Sequence, residues 1–228
     1  MAEWFPPDTI FFASNPCGSG DSGRRAGKVE AGGPLARSRA CYSSFMTDVL
    51  ETERLILRPL RLEDAARTQE LFPHWEIVRF LGAIVPWPYP EDGALTYFRE
   101  AALPAVERGD AWHWTLRLKE FPEEQIGAIC LVREGHTNRG FWLGLPWHGR
   151  GLMSEAVEAV TDYWFEVLGF PVLRAPKAID NVASRRISEK TGMRVVETAM
   201  RDYVSGKLPS EIWEISAEEW RARRQKAG

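Results

Sequence analysis

The feature that most constrains this chain is a glycine-rich turn that leads from a strand-like run into its best helix pattern. Apolar residues recur at helical spacing over residues 152–168, and Gly169 follows as a stop signal. The preceding turn holds Gly149 and Gly151. Glycines let the backbone turn tightly and aim several N–H groups toward one point, at the positive end of the helix dipole. The pattern predicts a phosphate site at the start of this helix.

The same turn is also compatible with a purely structural role. An isolated G-x-G motif more often only turns the chain, although its position between a strand and a helix favours binding. A Walker phosphate loop requires Gly-Lys-Ser/Thr, which does not follow here, and the dinucleotide fingerprint requires a glycine where Ser154 stands. The turn therefore fits neither motif, and we expect it to bind a pyrophosphate in a different way.

Composition excludes several classes of protein. The 228 residues carry 29 Lys and Arg against 32 Asp and Glu, which argues against a protein that works mainly by neutralising nucleic-acid phosphates. No apolar run is long enough for a transmembrane helix, and the first residues lack a secretory signal pattern. Cys17, Cys41 and Cys130 form neither a close-spaced metal pair nor a disulfide framework. We therefore expect a cytoplasmic protein without a metal.

The chain divides into two parts by composition. Residues 1–45 are rich in Gly, Pro and Ser and show no sustained strand or helix period, so we expect a flexible extension there. Residues 46–228 carry regular patterns throughout, and we expect them to form one domain. We also expect the working protein to start near Met46.

The patterns predict an α/β fold with a mixed, mostly antiparallel sheet flanked by helices. Asn181 is the expected N-cap of the second long helix, and Ser216-x-x-Glu219 is a capping box that opens a short terminal helix. The proline-rich residues 82–90 are expected to form a rigid loop. Strand patterns cover residues 54–59, 111–118, 125–133, 139–145, 171–178, 193–204 and 211–215, and helical patterns cover residues 64–72, 91–107, 152–168 and 182–191.

Residues 148–153, His-Gly-Arg-Gly-Leu-Met, resemble the coenzyme A loop of the GNAT acyltransferase superfamily, which is written Gln/Arg-x-x-Gly-x-Gly/Ala. Gly151 matches the central glycine, whereas His148 and Met153 depart from the pattern. Residues 53–58, 154–156 and 181–193 resemble the opening strand, helix start and second coenzyme A segment of the RimJ/RimL-like branch. The resemblance covers about residues 51–220.

The resemblance implies a sheet that splays at the coenzyme A site, and acetyl-CoA as the co-substrate. The pantetheine arm would pair with the backbone of Leu143, Gly144 and Leu145 and bond to Asn181. Ser184 would protonate the leaving thiolate. From sequence alone, plain helix capping by Asn181 and an ordinary third helix position for Ser184 explain the two residues equally well. The pyrophosphate would bind to the loop residues His148, Gly149, Arg150, Gly151, Leu152, Met153 and Ser154.

The acceptor side is less defined by the sequence. An amine must lose its proton before it attacks, and Glu134 and His136 are candidates for the catalytic base, with His113 and His148 as further possibilities. We expect Trp87, Trp112, Trp142 and Trp147 to line an acceptor pocket for an apolar or aromatic body or a peptide end.

The leading hypothesis is an acetyl-CoA-dependent N-acetyltransferase in which a primary amine attacks the thioester directly within a ternary complex. The acceptor is either a small molecule or the N-terminus of a peptide or protein. The alternative is a non-catalytic module that binds acyl-CoA or a peptide. The resemblance implies a monomer or homodimer.

Overall fold

The structure is a computed structural model that describes residues 47–135 and 137–227; the predicted extension, residues 1–45, lies outside them. The described strands are β1 Leu50–Glu51, β2 Leu55–Pro59, β3 Ala111–Leu118, β4 Phe121–Val132, β5 Arg139–Leu143, β6 Val172–Ala178, β7 Arg194–Tyr203 and β8 Gly206–Ser216. The described α-helices are α1 Ala65–Leu71, α2 Trp75–Val78, α3 Gly93–Tyr97, α4 Leu103–Glu107, α5 Leu152–Asp162, α6 Val182–Lys190 and α7 Ala217–Ala227.

Most predicted elements are confirmed within a few residues. Two π-helical turns, Phe98–Ala102 and Tyr163–Val167, join α3 to α4 and extend α5, so each predicted long helix is continuous but locally widened. The four-residue helix α2 has no prediction, because one turn is too short to show a period. Strand β5 ends at Leu143 rather than at residue 145, because a 3-10 turn with Pro146 follows.

The strands form two antiparallel sheets. The first has the order β1-β2-β3-β4-β5, and the second has the order β6-β8-β7. Strands β3, β4 and β5 are the predicted antiparallel meander. Strand β8 starts at Gly206, earlier than expected, and pairs with β7 along a long hairpin. The predicted α/β fold with a mostly antiparallel sheet is confirmed, and the sheet divides between β5 and β6.

Asn138 holds the two sheets together at one end of this division. Its N–H donates to the Arg174 carbonyl (2.8 Å), and its Oδ1 accepts from the Arg174 N–H (2.9 Å). Its Nδ2 donates to the Val132 carbonyl (3.1 Å). No further ladder joins β5 to β6 among the described residues, so the strands separate beyond this contact.

One hydrophobic core spans both sheets. Helix α5 buries Ala156, Val157 and Val160, as its periodicity predicts, and these pack in the same cluster as Leu57 of the first sheet and Leu173 of the second. Burial of such side chains stabilises a fold by about 1.5–3 kcal/mol each. Helix α5 thus fixes the position of one sheet relative to the other. Within the part of the chain that the structure describes, no helix has the length and apolarity needed to span a bilayer.

Replacing Asn138 by Ala tests the junction of the sheets. The side chain is 6% exposed, and the change leaves the Arg174 N–H and the Val132 carbonyl without their side-chain partners. We expect Asn138→Ala to lower the free energy of unfolding by about 2 kcal/mol, measured by urea denaturation. The control Thr198→Ala, on the exposed face of β7, should change it by less than about 0.5 kcal/mol. Equal effects of the two changes would contradict this role of Asn138.

Candidate functional site

The glycine-rich turn presents free backbone N–H groups at the start of α5. Gly149 and Gly151 have φ angles of 72° and 77°, in the left-handed region that favours glycine. Gly151 is the N-cap of α5, and no side chain caps the helix. The N–H groups of residues 151–154 donate to no acceptor among the described residues. A Cβ built on Gly149 meets no atom within 4 Å, so this surface is open to a ligand.

Arg54 and Glu155 brace this turn from the first sheet. Glu155, in the first turn of α5, accepts hydrogen bonds from the Arg54 backbone N–H (2.8 Å), from Arg54 Nε (2.7 Å) and from the Thr52 hydroxyl. Arg54 Nη1 also donates to the Arg150 carbonyl (3.0 Å). Burial opposes ionisation of Glu155, but the hydrogen bonds from Thr52 and Arg54 outweigh it and lower the pKa of this carboxyl. The brace fixes where the free N–H groups point.

The edge of β5 faces the division between the sheets. Gly144 donates its N–H to the Ile126 carbonyl of β4 (2.8 Å), so the preceding Leu143 turns its backbone groups to the opposite edge. There the Leu143 carbonyl lies 2.7 Å from His148 Nε2. A carbonyl oxygen only accepts, so Nε2 must carry the proton in this contact. His148 therefore contacts the predicted pantetheine edge through its side chain.

The 3-10 turn Leu145–Trp147 places Trp147 against Gly144. A Cβ on Gly144 would lie 2.8 Å from the Trp147 ring, so only glycine permits this approach. Leu145 is exposed at the same turn, and Arg150 is exposed beside the glycines.

Helix α6 starts on the other side of the division. The Asn181 side chain accepts a hydrogen bond from the Ser184 N–H (3.2 Å), which confirms the predicted N-cap. Ser184 is buried, and its hydroxyl bonds to no described residue. A cavity of about 1380 Å³ runs between the starts of α5 and α6 and is lined by both Asn181 and Ser184. The structure thus brings together the two predicted coenzyme A segments.

The predicted bases lie in different places. Glu134 is exposed in the connection between β4 and β5, and His136 lies outside the described residues. His113 is buried in a separate small cavity beside Tyr97 and Trp142. Burial lowers the pKa of His113 to about 4, so it is a weak proton acceptor at neutral pH.

The four tryptophans predicted to line an acceptor pocket do not lie together in the structure. Trp142 and Trp147 line the large cavity. Trp112 lies in the hydrophobic core, edge-on to Phe170 with ring centroids 6.0 Å apart. Trp87 is 42% exposed and packs against Trp75, with ring centroids 5.6 Å apart.

Sequence reasoning missed two cations in the cavity wall, Arg139 at the start of β5 and Lys177 near the end of β6. Burial and the charge of Arg139 lower the pKa of Lys177 well below its ordinary value, and burial lowers the pKa of Arg139 to about 10. The sequence signal that could have predicted the burial of Lys177 is strand alternation, because Lys177 shares a face with the buried Leu173 and Ala175. No cluster of three or more potential metal ligands occurs among the described residues.

The fold and the site together define an α/β protein with a large cavity between its two sheets, onto which unpaired backbone N–H groups open. A family model described as an acetyltransferase (GNAT) domain matches residues 54–194. An uncharacterized N-acetyltransferase of Bacillus subtilis (strain 168), YoaA, is 31% identical over 163 residues, which cover 70% of this chain and 89% of that protein. The chain therefore belongs to the GNAT acetyltransferase family.

Solved structures show the same fold. RimL, described as a ribosomal alpha-N-protein acetyltransferase in complex with coenzyme A, has a TM-score of 0.64 at 14% identity over 74% of this chain and 98% of its own. RimJ of Mycobacterium smegmatis, in complex with a coenzyme A disulfide, has a TM-score of 0.64 at 17% identity over 75% of this chain and 88% of its own.

Replacing Glu155 by Gln tests the brace and its dependence on pH. The pKa of Glu155 is lowered in the folded state, so the ionised carboxylate stabilises the fold. This stabilisation is fully present above the ordinary carboxyl pKa, and it is lost as the pH falls through the lowered pKa. We expect Glu155→Gln to lower the free energy of unfolding by about 1 kcal/mol at neutral pH. The difference from the unmodified protein should shrink below about pH 4, measured by urea denaturation.

The control for this measurement is Glu53→Gln, because Glu53 is exposed and makes no hydrogen bond or ion pair with the described residues. It should change stability little at any pH. A loss in Glu155→Gln that does not vary with pH would show that the charge of Glu155 is not what braces the turn.

Proposed function

We propose that this protein is an acetyl-CoA-dependent N-acetyltransferase that transfers the acetyl group to a primary amine by direct attack in a ternary complex. The observation that carries the proposal is the row of free N–H groups at residues 151–154, which opens onto the cavity between β5 and β6. These groups match the charge of a pyrophosphate. The family assignment supports acetyl-CoA as the donor of the transferred group.

The coenzyme would bind along the division of the sheets. The amides of residues 149–154 would hold the pyrophosphate, and the exposed Arg150 is available to the 3'-phosphate. The pantetheine arm would add to the edge of β5 at Leu143. Since His148 bonds to the Leu143 carbonyl, a pantetheine amide that pairs with this carbonyl would either share it with the imidazole ring or replace that ring.

The transfer step requires a group that stabilises the departing thiolate. The attacking nitrogen forms a bond to the acetyl carbon and gives up one proton to a base or a chain of water molecules, the carbon–sulfur bond breaks, and the sulfur leaves with the electron pair. The Ser184 hydroxyl lines the cavity and has no partner among the described residues, so it is free to donate to this sulfur. Asn181, at the same helix start, would bond to the pantetheine arm.

The acceptor is proposed as a primary amine, on a small molecule or at the N-terminus of a peptide or protein. The RimJ/RimL-like branch is part of this proposal; the likeness to RimL, whose description names alpha-N-protein acetylation, supports a peptide acceptor. Trp142 and Trp147 provide an apolar wall for either one. Mass-shift screening of amines and peptides with acetyl-CoA would identify the acceptor. Tight coenzyme binding without acceptor-dependent release of thiol would instead favour a non-catalytic module.

Replacing Gly151 by Glu tests the phosphate site. The change places a carboxylate beside the free N–H groups, in a position where a built Cβ meets only Arg54 Nη2 at 3.6 Å. We expect the affinity for coenzyme A to fall by roughly 100-fold or more in calorimetric titration, because two negative charges would compete for one site.

Gly169→Glu is a matched control. Gly169 has a φ of 72°, nearly that of Gly151, and a Cβ there also meets open space. The two variants therefore carry similar backbone strain, and only one of them changes the proposed site. An unchanged coenzyme A affinity in a folded Gly151→Glu protein would refute the assignment.

Replacing Ser184 by Ala tests the stabilisation of the thiolate. We expect kcat to fall about tenfold with little change in the KM for acetyl-CoA, because the hydrogen bond would strengthen only as charge develops on sulfur. Ser188→Ala is the control, because Ser188 is buried on the same helix and its hydroxyl also has no partner among the described residues. If both variants lose kcat equally, the effect belongs to helix packing and not to Ser184.

A further inference from the structure

The cavity wall contains two buried cationic side chains from facing strands. Arg139 of β5 is 2% exposed, and Lys177 of β6 is 6% exposed. Both line the cavity that would hold the reacting ends of the substrates. The Lys177 ammonium lies 4.7 Å from the centre of the Phe141 ring, so Phe141 of β5 bridges the space between the strands.

Neither cation has an acidic partner in the described part of the chain. Arg139 donates to the Thr161 hydroxyl (3.0 Å) and to the Met193 sulfur (3.3 Å), and its Nε has no partner. Lys177 Nζ takes part in no hydrogen bond or ion pair with the described residues. This pairing pattern is unusual, because buried charges are ordinarily paired.

The acidic residue nearest to Lys177 in the strand ladder forms its ion pair with a different residue. Glu211 of β8 lies directly across the ladder from Lys177, so the two side chains share one face of the sheet. Arg185 of α6 holds both Glu211 oxygens, at 2.8 and 3.0 Å. Glu211 is therefore already neutralised, and no described carboxylate is paired with Lys177 or Arg139.

Thr137, two residues before Arg139, is a further residue of the cavity wall, and its buried hydroxyl has no partner among the described residues. Unpaired buried donors lower the stability of a fold, and charged ones lower it more. An anionic group in the cavity that reaches Lys177 Nζ would stabilise the charged form of this lysine and offset the charge of Arg139.

We propose that Lys177 and Arg139 bind a carboxylate of the substrate, so that this enzyme selects a substrate pair in which one member carries a carboxylate near the reacting atoms. The carboxylate belongs either to an acyl group that ends in one or to an amine that carries one. It takes no part in bond making: the amide forms, the thioester breaks, and the carboxylate stays ionised. This inference rests on the proposed function and names the substrate class of that site.

Steady-state kinetics with the full chain test this proposal in two arms. The first arm compares succinyl-CoA with acetyl-CoA, using an amine without a carboxylate. The second arm uses acetyl-CoA with amino acids and with the matching decarboxylated amines. In one arm, the kcat/KM of the carboxylated substrate should exceed that of the uncharged substrate by at least about tenfold, as expected for a charge-assisted hydrogen bond. That arm identifies whether the acyl group or the amine carries the bound carboxylate.

The variant Lys177→Met should remove this preference, so that its kcat/KM values for the carboxylated and the uncharged substrate differ by less than about threefold. Lys207→Met is the control, because Lys207 is an exposed cation of the same sheet outside the cavity, and it should keep the preference. Thermal unfolding of each variant with succinyl-CoA or acetyl-CoA gives a readout that does not depend on turnover. Lys177→Met should fold, since it replaces an unpaired buried cation by an apolar chain of similar length.

Three results would overturn the proposal in distinguishable ways. Equal kcat/KM values in both arms, with acetyl-CoA bound and turned over, would overturn the carboxylate site and leave the proposed function standing. A loss of turnover in Lys177→Met that is equal for all substrate pairs would make Lys177 a proton acceptor, and would overturn the site as well. Failure of the unmodified protein to bind either thioester would overturn the proposed function and this inference together.

Discussion

The division of the sheet between β5 and β6 is the constraint on which the site depends. A continuous ladder at this point would satisfy the backbone of both strands and leave no room for a ligand. Asn138 closes the division at one end with two hydrogen bonds to Arg174 of β6, and α5 packs across both sheets. The two sheets are therefore held in place without direct pairing along β5 and β6. The strand edge that remains is available to an extended ligand.

The unpaired backbone groups of an open strand edge lower the stability of the fold, and this protein satisfies one of them with its own side chain. The Leu143 carbonyl on that edge accepts a hydrogen bond from His148, a residue that departs from the family's loop pattern. The imidazole ring bonds back to Leu143 of β5, five residues earlier in the chain. His148 thus satisfies a carbonyl on the open edge of this strand. This contact comes from the path of the turn, so the identity of residue 148 alone did not predict it.

Local signals predicted the parts of the site that local geometry determines. The left-handed glycines, the Asn181 cap and the buried face of α5 depend on residues a few positions apart, and sequence periodicity records them. The brace between Arg54 and Glu155 joins residues 101 positions apart, and nothing in either segment specifies its partner. The separation of Trp87 and Trp112 from the cavity has the same origin, since composition predicts burial but not which side of a sheet meets a ligand.

The burial of Lys177 in the cavity wall is a feature that the strand pattern of the sequence could have predicted. Strand alternation places Lys177 on the buried face, where a lysine contradicts the apolar pattern of Leu173 and Ala175. A charged residue at such a position lowers stability unless another group compensates it, and Glu211 is already bound to Arg185. A ligand that supplies the missing negative charge would restore the lost stability, so ligand binding at this wall and folding stability are thermodynamically linked.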